Sequence, residues 1–381
     1  MNNKDNLNIS LLVGLKNNLE YSQFFYETTR SLYPNAEIVF VSYGSTDDTH
    51  NWLDSLSDDN LIYFYSPETK TLSDTYNKCS ELATKDYIIL LHNDMILTPN
   101  FLENVLKYIN DKTIVGYSFI EPPIYADDKR VGKIIHDFKA DIDNFPLDRL
   151  YSLSEDLQKE HQNKYAERID LKFFLSMKNK ILKSIGGFDN LFNPMFFEDD
   201  DLFLRLEQVN LKMITSLDAI CYHFVSKTSR FSEDVVKRTK QIENNSQRNF
   251  IRKWGFTSYN EKRKTKNIGI IIKKVSLNLL REIEPYASKI YVDSDFSEYI
   301  KEEQPKTKFD LRARIFPITS LGDHDIIIEV DGEKIDDASL EFIKNIYRNI
   351  DKRRKSFFKS LFLGKNKINK KGITVRIYNY N

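Results

Sequence analysis

Short, almost continuously apolar segments alternate with amphipathic ones along about the first hundred residues. The apolar segments are "ISLLVG", "AEIVFV", "LIYFYS" and "YIILLH", and they are typical of strands buried on both faces of a parallel sheet. Helical periodicity separates them, in "YSQFFYETTRSLY", "THNWLDSL" and "TLSDTYNKCSELAT". Because right-handed helical crossovers make such strands parallel neighbours, the pattern predicts a Rossmann-like α/β fold with a mostly parallel sheet.

The pattern is less regular between about residues 113 and 166, where we interpret "EPPIYADDK" and "DIDNFPLD" as loops. An acidic segment, "FFEDDD", then enters a predicted helix, and "AICYHF" predicts a strand that ends near His223. After the linker "NEKRKTKN", the segments "IGIII", "KIYVD", "HDIIIEV" and "GITVRIY" predict a second, smaller α/β domain. We therefore place one domain at residues 1–262 and the other at residues 263–381.

Composition and charge narrow the class of protein. The 381 residues are 41% hydrophobic and 29% charged, which is ordinary for a soluble globular chain. The formal net charge is zero, so no overall field favours nucleic acid, and we predict no nucleic-acid partner. Cys79 and Cys221 form no framework of disulfides, and the polar start shows no signal peptide. These features predict a cytoplasmic protein.

Three polar clusters follow predicted strands, namely "LKNN", "SYGSTDD" and "HND". Ligands of open α/β sheets bind beyond the carboxyl ends of the strands, so these clusters are candidate ligand-binding turns. Asp94, in "HND", could hold Mg²⁺ or Mn²⁺ to a diphosphate, since both ions prefer oxygen ligands. The alternatives are structural: Asp94 could cap a helix, and Thr46 or Asp47 could cap the helix after the second cluster.

Four consecutive acids, Glu198 to Asp201, stand between aromatic and aliphatic residues at a predicted helix start. The positive end of the helix dipole accounts for one or two acids there, but less well for four in an apolar setting. A carboxylate near apolar rings can have a raised pKa and act as a general base. His223 could be a structural histidine or a ligand, and Ser226, Lys227 and Ser229 after it could meet a phosphate.

Taken together and in order, these segments resemble glycosyltransferase family 2. The segment "VSYGSTDDT" is similar to the "VDDGSTDDT"-like segment of the family, and "LLHNDM" is similar to its DxD-type strand end. An Asn-bearing helix appears as "SDTYNKCSELA", and a "GGFD…EDxDL…R" segment appears as "GGFDNLFNPMFFEDDDLFLRL". The resemblance covers about residues 9 to 230.

The resemblance implies a GT-A fold, a nucleotide-sugar donor, Mn²⁺ or Mg²⁺, and an inverting single displacement. It implies that Asp199 is the catalytic base with Glu198 beside it, and that Asp94 and His223 bind the metal. The implied donor-binding residues are Asn17, Ser42, Gly44, Ser45, Asn77, Asn93 and Lys227. The acceptor would be a glycan, a lipid-linked molecule or a protein.

Three positions depart from the family pattern. Ser42 and Tyr43 replace acids that commonly contact a uracil base, and His92 replaces the first Asp of DxD. These changes keep open a second hypothesis, a catalytically inactive GT-A-like binding or scaffold protein. A nucleotidyltransferase is a third hypothesis, which the acidic segment and the lack of a Gly-rich phosphate loop disfavour.

The last hundred-odd residues lie outside the resemblance. Within them, basic residues flank the apolar "FFKSLFL" in the segment 352–371, which could bind an anionic membrane surface peripherally. The alternative is a solvated helix with one packed face. The carboxy-terminal domain could equally position an acceptor or mediate self-association into an oligomer.

Overall fold

The computed structural model describes residues 7–125, 127–225, 233–257, 266–357 and 367–379. The chain divides into two compact units, Met1–Lys240 and Gln241–Asn381. This division falls within a helix, whereas the domain boundary that we predict at residues 262 and 263 lies outside the described residues. Among the described residues, no helix combines the length and the apolar character needed to cross a bilayer.

The first unit is built on a mostly parallel sheet with strand order β3-β2-β1-β4-β9-β6-β10-β5. Two further strands lie outside this order: β7 pairs with β6, and β8 pairs with β10. The antiparallel pairs of the sheet are β4–β9, β6–β9, β10–β5 and β10–β8. The strands are β1 (Ile9–Leu15), β2 (Glu37–Tyr43), β3 (Leu61–Ser66), β4 (Tyr87–His92), β5 (Met95–Leu97), β6 (Thr113–Glu121), β7 (Lys133–Ile135), β8 (Tyr165–Ala166), β9 (Leu175–Lys178) and β10 (Lys212–His223).

Helices connect these strands, as the periodicity predicts for the first part of the chain. They are α1 (Leu19–Leu32), α2 (Thr49–Ser55), α3 (Leu72–Leu82), α4 (Phe101–Leu106), α5 (Leu147–Glu160), α6 (Asn179–Ser184), α7 (Glu198–Gln208) and α8 (Glu233–Trp254). Every residue of β2 is buried, which is why its sequence is continuously apolar from Ile38 to Val41. Parallel pairing of β1 with β2 and β4 brings the ends of these three strands to one edge of the sheet.

The second unit has its own sheet, with strand order β13-β12-β11-β14-β16-β15. The first four of these strands are parallel neighbours, and β16 and β15 add antiparallel pairs. Its elements are β11 (Ile268–Lys273), α9 (Leu277–Ile283), β12 (Lys289–Val292), α10 (Ser297–Glu303), β13 (Ile315–Pro317), β14 (Ile326–Asp331), α11 (Asp337–Lys344), α12 (Ile346–Phe357), β15 (Lys367–Lys370) and β16 (Ile373–Ile377). A separate apolar core confirms the second, smaller α/β domain.

The segment between residues 113 and 166 is more regular than its sequence pattern indicates, since it contains the nine-residue strand β6 and the fourteen-residue helix α5. Within the proposed membrane segment 352–371, residues 358–366 lie outside the described residues. Membrane contact there stays a prediction.

Candidate active site

Three side chains that could hold a metal ion meet where β4 and β10 end. His92 is the last residue of β4, Asp94 lies in the turn before β5, and His223 is the last residue of β10. Antiparallel pairing sets His223 opposite Met95, and the Phe224 N–H donates to the Asp94 carbonyl at 3.0 Å. One ligand atom from each of the three residues lies within 4.8 Å of the other two.

Asp94 Oδ1 is the common point of this group. It lies 3.5 Å from His223 Nε2 and 3.9 Å from His92 Nδ1. Asp94 is 6% exposed, and burial would raise the pKa of its carboxyl, but His223 and His92 outweigh burial and lower the pKa to about 2. An ionised carboxylate is therefore held between two imidazoles.

Glu121, at the end of β6, orients His223 from behind. His223 Nδ1 lies 2.8 Å from Glu121 Oε1, so Nε2 is the nitrogen that faces Asp94. Lys133 in turn lies 2.6 Å from Glu121 Oε2 and 2.9 Å from Asp128. A carboxylate behind a histidine is the usual support of a metal-binding imidazole, since it fixes both the tautomer and the ring. Nothing in the sequence analysis singled out Glu121.

The donor set fits a divalent cation. It offers one carboxylate oxygen and two imidazole nitrogens, all three buried or half-buried and close together. Sequence analysis placed Asp94 and His223 in this role but treated His92 only as a lost acid. The available signal was its position two residues before Asp94, where a nitrogen ligand can replace an oxygen ligand.

Phe173 and Phe174 connect this group to the acidic cluster of α7. Ring centroids of Phe173 and Phe174 lie 4.5 and 5.3 Å from that of His92. Phe174 also lies 5.4 Å from His223. The preceding residue, Lys172, is 8% exposed and forms an ion pair with Asp200. A single short segment therefore contacts both the histidines and the acids.

The four acids of α7 have different partners. Asp200 pairs with Lys172, and Asp201 accepts from Arg205 Nε at 2.8 Å. Asp199 Oδ1 accepts from the Asp200 N–H at 2.8 Å. Glu198 is 9% exposed, and its Oε2 has no hydrogen-bond partner among the described residues. Asp200 and Asp201 therefore form ion pairs with basic side chains. Asp199 and Glu198, the two acids proposed as catalytic, lie beside them and do not take part in these two ion pairs.

Burial sets the protonation of these two acids. It raises the pKa of Glu198 to about 8, with a further contribution from the charge of Asp199. It also raises the pKa of Asp199, although the positive charges of Lys172 and Arg130 oppose the shift. The backbone just before them is unusual, since Phe196 and Phe197 have φ of 75° and 69°. Such conformations cost free energy for aromatic residues and are found at functional sites.

Four of the proposed donor-binding residues lie together where β1 and β2 end. Asn17 accepts from the Thr46 N–H at 2.7 Å, and its own N–H donates to Ser45 Oγ at 2.9 Å. Ser42 Oγ lies 2.8 Å from Ser45 Oγ and 3.0 Å from His50 Nε2. Gly44 has φ of 63°, and a Cβ there would lie 2.7 Å from Thr69 Oγ1. These contacts build a rigid turn.

The other proposed donor-binding residues have different surroundings. Both amide atoms of Asn77 bond the backbone of Phe188, at 2.8 and 2.9 Å. Asn93 donates to Ser22 Oγ at 3.0 Å and is buried. Lys227 lies outside the described residues. Donor contacts by Asn77, Asn93 and Lys227 therefore stay predictions.

A family model matches the first part of the chain. Residues 10–171 match the family model described as "Glycosyl transferase family 2", which confirms the resemblance seen in the sequence. No curated protein matches the sequence significantly.

Three solved structures are similar to part of this chain. Mannosyltransferase PcManGT from Pyrobaculum calidifontis, in complex with GDP-Man and Mn²⁺, is 15% identical over 64% of this chain and 62% of its own, with a TM-score of 0.41. GalNAc-T7 with UDP, GalNAc and Mn²⁺ is 10% identical over 67% and 52%, with a TM-score of 0.45. S. aureus TarS 1-349 is 12% identical over 67% and 75%, with a TM-score of 0.41. The chain thus spans only 62% and 52% of the first two.

Proposed function

We propose, from the membership of residues 10–171 in glycosyltransferase family 2, that this chain is a metal-dependent, inverting glycosyltransferase. It would move a sugar from a nucleotide-sugar donor to the hydroxyl of an acceptor. One observation carries the proposal: the segment 172–174 contacts both the His92, Asp94 and His223 group and the acids of α7. The proposed metal ligands and the proposed base would thereby belong to one site.

Asp199 is the proposed base. It would accept the proton of the acceptor hydroxyl as that oxygen attacks the anomeric carbon from the face opposite the leaving group. Its pKa is raised by burial, which makes it a stronger base than an exposed aspartate, and Lys172 nearby favours its ionised form. Glu198 is the adjacent carboxyl, whose Oε2 has no hydrogen-bond partner within the described ranges, and it would hold its own proton up to about pH 8.

Asp94 and His223 would hold the divalent cation, either Mn²⁺ or Mg²⁺. When bound, such a cation supplies positive charge to a departing nucleoside diphosphate. Asn17, Ser42, Gly44 and Ser45 would face the donor from the turn where β1 and β2 end. The acceptor would be a glycan, a lipid-linked molecule or a protein in the cytoplasm.

The scaffold hypothesis is disfavoured by Glu198. A buried carboxyl oxygen without a partner costs free energy, and a binding protein without catalysis gains nothing from it. The positive φ angles of Phe196 and Phe197, just before the acids, also cost free energy and support the same conclusion. We therefore prefer the enzyme.

Thermal stability with a panel of nucleoside diphosphates and nucleotide sugars, each with and without Mn²⁺, tests the proposal. A ligand that binds only the folded state raises Tm. We expect a metal-dependent rise for one nucleotide, lost in Asp94→Ala and kept in the control Asp86→Ala. Asp86 precedes β4 at its other end and accepts from Asn8 on the surface.

Asp199→Asn separates binding from catalysis. It should keep the rise in Tm while losing transfer of the sugar, because the base does not hold the donor. If no nucleotide raises Tm of a well-folded sample, the glycosyltransferase proposal is wrong and the scaffold hypothesis gains support.

A further inference from the structure

We propose that His92 is a third protein ligand of the metal, and that it makes the site select transition-metal ions over Mg²⁺. The inference rests on the proposed function in that it concerns the same metal site. It goes beyond that function because it assigns a ligand and a class of ion. The site would have two imidazoles and one carboxylate.

The ring of His92 is held in place by its neighbours. Phe173 and Phe174 pack on it at centroid distances of 4.5 and 5.3 Å, and the ring of His223 lies 5.7 Å away. Its Nδ1 is directed to Asp94 Oδ1, 3.9 Å away. The backbone N–H of His92 lies 3.3 Å from the sulfur of Met95, which ties the turn that carries Asp94. His92 therefore needs little rearrangement to share a cation with Asp94.

His223 is oriented toward the same oxygen from the other side. Glu121 contacts its Nδ1, and Lys133, whose side chain is 1% exposed, fixes Glu121. Its Nε2 consequently faces Asp94 Oδ1 at 3.5 Å. Two nitrogens from different strands thus point at one carboxylate oxygen, and a cation there would be bound by all three atoms.

This donor set distinguishes between classes of ion. Mg²⁺ prefers oxygen ligands in near-ideal octahedral geometry and gives up water reluctantly. Imidazole nitrogens suit Co²⁺, Zn²⁺ and, less strongly, Mn²⁺. Replacing one imidazole by a carboxylate should therefore shift the preference toward Mg²⁺ and Mn²⁺. The expected shift distinguishes two roles of His92: a ligand of the metal, or a ring that only packs against Phe173.

Metal binding without any nucleotide provides the test. We would measure the affinity of the full chain for Co²⁺ and Mg²⁺ by calorimetry, and count the imidazole nitrogens around bound Mn²⁺ by pulsed EPR. The wild type should bind Co²⁺ far more tightly than Mg²⁺ and show two nitrogens. His92→Asp should show one nitrogen, and its ratio of Co²⁺ to Mg²⁺ affinity should fall by on the order of tenfold.

Two further variants keep the test decisive. His92→Phe preserves the packing on Phe173 and Phe174 while removing both nitrogens, so it should also show one nitrogen if His92→Asp does not fold. His161→Ala, at the end of α5, is the histidine control and should match the wild type. Two nitrogens in His92→Phe, or one nitrogen in the wild type, would overturn the inference.

The outcomes for the proposed function are separate. If the metal data are as expected but no nucleotide sugar raises Tm with Co²⁺ or Mn²⁺, the function fails and the ligand assignment stands. If a nucleotide sugar binds and the wild type takes Mg²⁺ as tightly as Co²⁺, the function stands and the assignment fails.

Discussion

Asn77, on α3, clamps the backbone of Phe188 with both atoms of its side-chain amide. Phe188 N–H donates to Asn77 Oδ1 at 2.8 Å, and Asn77 Nδ2 donates to the Phe188 carbonyl at 2.9 Å. Gly187 makes this possible, because a Cβ there would lie 2.2 Å from Asn77 Oδ1. These two hydrogen bonds fix the "GGFD" segment, which leads toward the acids of α7. Asn77 therefore helps to position the acids by holding the backbone that precedes them.

Removing the clamp should destabilise the first unit. Asn77→Ala leaves the N–H and carbonyl of Phe188 without their side-chain partners, and we expect a loss of about 1–3 kcal/mol of unfolding free energy. Urea denaturation measures it. The control is Asn51→Ala, which removes an exposed bond to Asp48 and should cost well under that amount. Equal losses in the two variants would contradict the assignment.

Glu198 should make the protein less stable as pH rises. Burial and the charge of Asp199 raise its pKa from 4.5 to about 8, so the folded state keeps a proton that the unfolded state releases between those values. Stability then falls through this window, since the folded state binds more protons. Glu198→Gln has no such proton and should be more stable than the wild type at pH 8, by on the order of 2 kcal/mol.

Thermal denaturation from pH 5 to pH 9 follows this difference. The advantage of Glu198→Gln should grow up to about pH 8 and then level off. Glu155→Gln, an exposed glutamate of α5, is the control and should track the wild type at every pH. A constant difference between Glu198→Gln and the wild type would exclude the titration as its cause.

The sequence predicts the strand ends of this site well, because burial on both faces makes β1, β2 and β4 continuously apolar and their polar ends conspicuous. It predicts α5 poorly. That helix does carry an apolar stripe, Leu147, Leu150, Tyr151 and Leu157, which packs in one core cluster with Ile220 and Tyr222 of β10. The prediction missed this helix because it follows the loop-like "DIDNFPLD" and its apolar residues are interrupted by charged ones.

The position of His92 two residues before Asp94 is a local signal for its role, but the rest of its surroundings cannot be read from the sequence. His223 on β10 and the segment 172–174, which pack around its ring, are far away in the chain. Glu121 was missed for the same reason, since its contact with His223 joins residues 102 positions apart. The pattern of one strand predicts what is buried, whereas a donor set depends on pairing across strands.

Glu284 should be essential to the second unit. It is fully buried and accepts from Arg252, Arg314 and Tyr299 at 2.7 to 2.9 Å. Burial alone would raise its pKa, but Arg252, Arg314 and Arg248 outweigh burial and lower it. Glu284→Ala leaves Glu303 to compensate Arg252 and Arg248 and removes the carboxylate that Arg314 contacts, so we expect a loss of about 3–5 kcal/mol.

Denaturation of Glu284→Ala is best compared with Glu282→Ala. Glu282 pairs with Lys344 on the surface, and its loss should cost at most about 1 kcal/mol. The depressed pKa of Glu284 adds a pH signature. Its contribution is present above the unfolded value of 4.5 and is lost as pH falls below it, so the wild type should lose its advantage in acid. An advantage that does not shrink between pH 5 and pH 3 would argue against the ionised network.

The ion pair between Lys172 and Asp200 should couple the acids of α7 to the segment beside His92. Lys172 is buried, and burial lowers its pKa to about 7 although Asp199 opposes the shift. Lys172→Met leaves Asp200 without this cation, whereas Lys172→Met combined with Asp200→Asn removes both charges. We therefore expect the double variant to be more stable than the sum of the single losses predicts, with a coupling of about 1–3 kcal/mol.

The matched surface cycle is Lys178→Met with Asp111→Asn, whose exposed pair should couple by at most about 1 kcal/mol. Urea denaturation of the wild type, the four single variants and the two double variants measures both cycles, and a Lys172 coupling no larger than that of Lys178 would show that the pair does not organise the acids.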